Sequence, residues 1–335
     1  MRRSLVGRFR PVLIVTALAL LAETLLGSIG STAVGAASVM PTGTVSQANL
    51  TKLIEASLKL NRLPNATTPS ITTLLNNGDF GSPLGTTTCG YIGTSSYQEN
   101  ITHCYFGDTK STVTVALIGD SRASMYLQAF DSLGKLEHFR VLFIAKDGCP
   151  TPLATYMTNN GGRVSHSPWV ACTRFHSYVI SSLNRFKPRA IVISSNSQLD
   201  LANPVHEAAG PEVQADMTAF LAKLPKSSRV IVLGGFPQPA PVANPTVCLS
   251  RHPNDVKACA FTPSADILSY NAAFASAAKA EGDVFVNQTP WYCASSCPAL
   301  VGKYIPYTID AYHADNTYLQ FLLGVLWSAI GKYVG

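Results

Sequence analysis

Val113-Thr-Val-Ala-Leu-Ile-Gly119-Asp120-Ser121 runs without a break into Arg122-Ala-Ser-Met-Tyr-Leu-Gln-Ala-Phe130. A short apolar run bounded by a turn signal reads as a buried strand, and the residues after it have helical spacing. Gly119 permits a tight turn between the two. Ser121 then stands at the start of the helix, where the first free amides face the same space as its hydroxyl. The competing role for a serine in that position is to cap the helix.

The same alternation recurs along the chain. Apolar strand candidates at Val113–Ile118, Arg140–Ala145, Ala190–Ser194, Val230–Leu233 and Val284–Val286 alternate with amphipathic segments. Helices are expected after Ser121, at Arg174–Phe186, Glu212–Leu224, Ala265–Ala280 and Asn316–Tyr333. Short apolar strands separated by helices imply a parallel sheet covered on both faces. The right-handed crossover rule makes it an open, doubly wound sheet. The expected fold is therefore α/β, a three-layer α/β/α arrangement around a doubly wound, parallel five-stranded sheet. Ligands of such sheets bind at the carboxyl ends of the strands. Ser121 falls at that edge.

So does a second segment near the end, Asp310-Ala-Tyr-His313, just ahead of Asn316-Thr-Tyr-Leu-Gln-Phe-Leu-Leu-Gly324. A carboxylate three residues from an imidazole can hold one ring nitrogen and leave the other for a nucleophile. Ser121, His313 and Asp310 together supply nucleophile, base and orienting carboxylate.

The front of the chain is different in kind. Arg2, Arg3, Arg8 and Arg10 precede the apolar run Pro11–Ala22, and small residues follow through Ala37. This is the pattern of an export signal with cleavage near Ala36 or Ala37. The alternative is an uncleaved membrane anchor if Glu23 and Thr24 are tolerated. Both readings put the rest outside the cytoplasm. The chain has 335 residues, with 47% apolar and 13% charged. Four of its 25 basic and one of its 19 acidic residues lie in 1–36, leaving 21 against 18, a net charge of +3. No basic tract follows the leader, so no nucleic-acid partner is expected.

Three regions are expected: 1–36 as signal or anchor, 37–110 as linker and N-terminal extension packed on the main domain, and 111–335 as the main domain. The extension contains a helix candidate at Gln47–Asn61 and otherwise irregular sequence.

Eight cysteines fit an oxidising compartment. Proximity favours the pairs Cys89–Cys104, Cys149–Cys172, Cys248–Cys259 and Cys293–Cys297. A zinc site needs two close ligand pairs that converge. Cys293-x3-Cys297 is the only close pair, so no metal is expected, and no cofactor either.

Gly119-Asp120-Ser121 near the first strand and Asp310-x-x-His313 before the last helix resemble blocks I and V of the SGNH (GDSL-like) hydrolases. The resemblance is closest to the extracytoplasmic SGNH domain fused to acyltransferase-3 membrane proteins, which O-acetylate bacterial envelope polysaccharides. Cys104-Tyr-Phe-Gly-Asp108, Gly148-Cys149-Pro150 and the loop from Trp291-Tyr-Cys293 to Cys297-Pro298 are similar to that domain as well. The resemblance implies Ser121 as nucleophile, His313 as base and Asp310 as its orienter. It implies an oxyanion hole from the Ser121 amide, with Gly148 and Asn196 as further donors. Arg122 stands where the family often has His or Leu, and Ser195-Asn196-Ser197-Gln198 lacks the Gly-x-Asn-Asp of block III.

What this implies is a serine esterase or O-acyltransferase, with acetyl as the acyl group, acting on a cell-envelope polysaccharide or glycoconjugate. A separate multi-span membrane acyltransferase is a possible partner. Arg122, Trp291 and Tyr312 are candidates for substrate binding, Arg122 for an anionic group and the aromatics for stacking on a sugar. The alternative, motivated by the two departures, is a catalytically inactive glycan-binding or accessory protein.

Overall fold

The computed structural model describes residues 44–77, 90–91, 105–160, 163–195, 210–239 and 244–335, all within one compact unit spanning Val39–Gly335. The expected leader and the Cys89–Cys104 pair lie outside the described residues. In chain order the elements are α1 (Gln47–Ser57), α2 (Ile71–Asn77), β1 (Gly90–Tyr91), β2 (Tyr105–Gly107), β3 (Thr114–Gly119), α3 (Ser121–Leu136), β4 (Arg140–Lys146), β5 (Met157–Asn160) and β6 (Arg163–Pro168). Then come α4 (Val170–Phe186), β7 (Ala190–Ser194), α5 (Gly210–Leu221), β8 (Arg229–Leu233), α6 (Pro245–Arg251), α7 (Ala265–Glu281), β9 (Val284–Val286), α8 (Asn316–Phe321) and α9 (Leu323–Ile330).

The five expected strands form the parallel centre of the sheet in the order β4-β3-β7-β8-β9. Both remaining strands of the sheet lie on the outer edge of β4, β1 parallel and β2 antiparallel. From β3 the chain winds to β4 on one side and returns to β7 on the other. The crevice of such a sheet opens beyond the carboxyl ends of the two strands that flank this reversal, here Gly119 and Ser194, which are register partners.

Strand alternation divides the core into two layers. Val115, Leu117, Val141, Phe143, Val192 and Leu233 point to one face and pack with α1, α3, α8 and α9. Ala116, Ile118, Leu142, Ile144, Ile193 and Val232 point to the other and pack with α4, α5 and α7. Leu50 and Ile54 of α1 are wholly buried in the first layer.

The structure departs from expectation in several places: the sheet has seven strands where five were expected, β1 and β2 being added, and α2 forms in the stretch of the extension expected to be irregular. The antiparallel pair β5–β6 lies between β4 and α4, in polar sequence without apolar alternation. The helix Asn316–Tyr333 is broken into α8, α9 and a 3-10 turn at Gly331–Tyr333. At the break, Phe321 gives its carbonyl to the Val45 amide at 3.2 Å, which removes it from the helical ladder. Gly324 admits that segment, since a Cβ there would lie 2.5 Å from the Val45 carbonyl oxygen. Finally, α6, opened by the Asn244 cap and Pro245, is a helix not among those expected. Among the described residues no helix is long and apolar enough to cross a membrane.

Three disulfides pair as expected: Cys149–Cys172, Cys248–Cys259 and Cys293–Cys297.

Candidate active site

Gly119 ends β3 with φ of +144°, and a Cβ on it would lie 1.9 Å from the Ser194 carbonyl oxygen. Only glycine fits where two backbones approach so closely. The next residue, Asp120, is wholly buried and caps α3, its Oδ1 accepting the Arg122 amide at 2.8 Å. The cap is therefore one residue ahead of Ser121, which leaves the serine hydroxyl out of the capping contact. Asp120 Oδ2 accepts from Ser195 Oγ at 3.3 Å, and that hydroxyl accepts the Thr151 amide at 2.8 Å. The helix start, the end of β7 and the loop after β4 are thus tied together.

The segment around His313 is equally constrained. The Thr308 amide donates to the His313 carbonyl at 3.1 Å, and Ala311 takes a left-handed φ of +58° to close the turn. Asp315 then caps α8 by accepting the Tyr318 amide at 3.0 Å. Toward α3, the Ala314 amide donates to Met125 Sδ at 3.4 Å, and the Asn316 side-chain amide donates to Gln128 Oε1.

These constraints bring His313 Nε2 to 2.9 Å from Ser121 Oγ and His313 Nδ1 to 2.6 Å from Asp310 Oδ2. Asp310 Oδ1 accepts from Thr308 Oγ1 at 2.6 Å and from the Tyr312 amide at 2.8 Å. Burial pushes the Asp310 carboxyl up, but the hydrogen bonds from His313, Thr308 and Tyr312 outweigh it and hold the group well below the usual carboxylate range. An ionised carboxylate on Nδ1 fixes the tautomer that leaves Nε2 free to accept a proton from a hydroxyl.

The other site candidates scatter. Gly148 lies in the loop after β4, directly behind Asp147, and the turn closes with the Cys149 amide on the Lys146 carbonyl at 3.1 Å. Asn196 lies outside the described residues. Arg122 is 2% exposed, with its guanidinium 4.5 Å from the Phe236 ring centroid and Nη2 without a partner among the described residues. Burial pushes it down, and the charges of Asp120 and Asp310 oppose that. It lies beneath the site instead of on a surface a glycan reaches. Trp291 is also buried, its carbonyl accepting from Tyr318 Oη, so its ring packs in the core with no open face for a sugar. Tyr312 is 41% exposed and remains the aromatic on the rim.

Two residues near the site escaped the sequence reading of its chemistry. Ser124 Oγ donates to Asp147 Oδ1 at 3.0 Å, and the Asp147 charge acts on His313. The available signal was the three-residue spacing of Ser121 and Ser124, which puts both on one helical face.

A family model described as an SGNH domain fused to AT3 domains matches residues 88–323. Among solved structures, the periplasmic domain of a lipopolysaccharide acetyltransferase from Salmonella ser. Paratyphi A aligns with a TM-score of 0.55 at 15% identity, over 79% of this chain and 97% of that one. A carbohydrate acetylesterase from Sinorhizobium meliloti aligns with a TM-score of 0.42 at 12% identity, over 66% and 99%. An aryl esterase from M. smegmatis gives 0.39 at 13% identity, over 67% and 100%. At such identities the likeness is one of fold. No curated protein matches in sequence.

Proposed function

This chain belongs to the family of SGNH domains found fused to AT3 domains, and from that membership we propose that it is a serine esterase or O-acyltransferase acting on acyl groups, acetyl first among them, of a cell-envelope glycan. The observation that carries this reading is the hydrogen-bonded order Ser121–His313–Asp310 at the carboxyl edge of the sheet. Ser121 Oγ attacks the ester carbonyl while His313 Nε2 takes its proton, and Asp310 stabilises the imidazolium that forms. The Ser121 amide at the start of α3, with Gly148 and Asn196 as further candidates, meets the developing negative charge. One such donor is worth about 3 kcal/mol. His313 returns the proton to the departing alcohol. A second hydroxyl, from water or a sugar, then attacks the acyl-serine by the reverse of these steps.

Support for a glycan substrate comes from the fold shared with a lipopolysaccharide acetyltransferase domain. Three disulfides and the Arg-rich, apolar leader support a place outside the cytoplasm. The family's fusion to AT3 domains supports an AT3 membrane protein as the source of the acyl group when the reaction is transfer. Exported chain is incubated with O-acetylated and bare envelope glycan, and free acetate and glycan mass are followed. Acetate release or a gain of acetyl on the glycan, lost in Ser121→Ala, is the expected result. Glycan binding with neither change supports the inactive accessory protein instead.

A further inference from the structure

Asp147 is a carboxylate at the site that the triad leaves unused. It follows β4 directly, and the next residues are clamped by the Cys149–Cys172 disulfide and by the 2.7 Å contact of His176 Nε2 with the Pro150 carbonyl. Its Oδ1 is held by Ser124 Oγ at 3.0 Å, and its Oδ2 has no hydrogen-bond partner among the described residues. Ser124 lies one turn along α3 from Ser121, on the same face of the helix. Asp310 already occupies Nδ1 of His313. Asp147, anchored to Ser124 one turn from the nucleophile and within electrostatic reach of His313, is thus a carboxylate beside the triad, next to the helix face that carries Ser121. Burial pushes its carboxyl up, against the Ser124 hydrogen bond and the charges of His313 and Lys146.

We propose that Asp147 recognises the sugar, accepting through Oδ2 a hydrogen bond from the hydroxyl adjacent to the one that carries or receives the acyl group. This role rests on the serine reading above. In the second half-reaction the reacting sugar oxygen bonds to the acyl carbon and its proton passes to His313 Nε2. The bond from the acyl carbon to Ser121 Oγ then breaks, and Oγ takes that proton back. The neighbouring hydroxyl keeps its own proton and donates it as a hydrogen bond to Asp147. Hydrolysis of a glycan ester uses the same contact in reverse. Its substrate class is a neutral sugar with a vicinal diol. A simple alcohol lacks the second hydroxyl, and a uronate carboxylate at that position meets a like charge.

The test separates the two half-reactions. p-Nitrophenyl acetate has no hydroxyl, so its nitrophenol burst gives each variant's own acylation rate, including whatever the lost Asp147 charge does to His313, and the acceptor preference is read separately from it. With equal concentrations of a methyl glycoside bearing a vicinal diol and of methanol present, wild type should acetylate the glycoside in preference. Asp147→Asn should lose that preference by about tenfold, as expected for loss of a hydrogen bond to a charged group. Ser124→Ala, which frees the carboxylate, should show a smaller loss of the same sign. A normal burst with an unchanged product ratio in Asp147→Asn overturns the role of Asp147 alone. Burst and transfer falling in parallel, with the product ratio kept, reduce it to a structural residue, which also overturns it. A wild-type chain no faster than Ser121→Ala overturns the serine reading, and the role of Asp147 with it.

Discussion

Asp310 holds His313 twice. Its Oδ1 accepts the His313 backbone amide at 3.1 Å, and its Oδ2 lies 2.6 Å from ring Nδ1. Backbone and ring are thus fixed by one carboxylate, and the imidazole edge left over faces Ser121. Asp310→Asn keeps the size of the group but offers Nδ1 an amide in place of a charge. We expect kcat to fall by about 10²–10⁴-fold on p-nitrophenyl acetate, with thermal unfolding little changed. An equal kcat would remove Asp310 from the mechanism.

Gly119→Ala puts a methyl group into the Ser194 carbonyl, at a φ that L residues avoid. The cost is expected to be at least about 2 kcal/mol, as for other strained backbone positions. Urea unfolding measures it. A midpoint equal to wild type would mean that β3 and β7 do not approach as described.

The disulfides close segments of different length, with separations of 23, 11 and 4 residues for Cys149–Cys172, Cys248–Cys259 and Cys293–Cys297. Loop-closure entropy ranks their contributions in that order, with roughly 3 kcal/mol for the longest. Paired Cys→Ser variants, each unfolded in urea, test the ranking. A reversed order would contradict it.

Asp283 has its carboxyl raised by burial to about 6, with Lys226 and Arg229 pulling it down and Glu281 pushing it up. A carboxyl with a raised folded-state value binds its proton more tightly in the native chain. Stability from that proton is present below the unfolded value near 4 and is lost as pH rises through about 6. Asp283→Asn should therefore melt higher than wild type at pH 7.5 and close to it at pH 3.5. The same difference at both pH values would contradict this.

The parallel sheet was legible because each of its central strands carries its own signal, a short apolar run with a turn at its end. Ser121 and His313 were legible as types in position, a small polar residue after β3 and an imidazole before a helix. What joins them was not. The Asp120–Ser195 contact, the Met125 and Gln128 contacts and the Ser124–Asp147 bond are made between segments far apart in sequence. The break between α8 and α9 depends on Val45, which no local pattern announces. Trp291 has the composition of a sugar platform and the position of a core residue. Aromatic character is the same in both, and only packing decides.

The most direct measurement is the site of covalent acylation. Asp310→Asn, slowed but intact, is mixed with p-nitrophenyl acetate, quenched in acid and digested for mass spectrometry. We expect one acetyl group on the peptide carrying Ser121, formed at the rate of nitrophenol release and missing from Ser121→Ala. Acetyl found only on other residues, or nitrophenol released equally fast by Ser121→Ala, would contradict a serine mechanism in this chain.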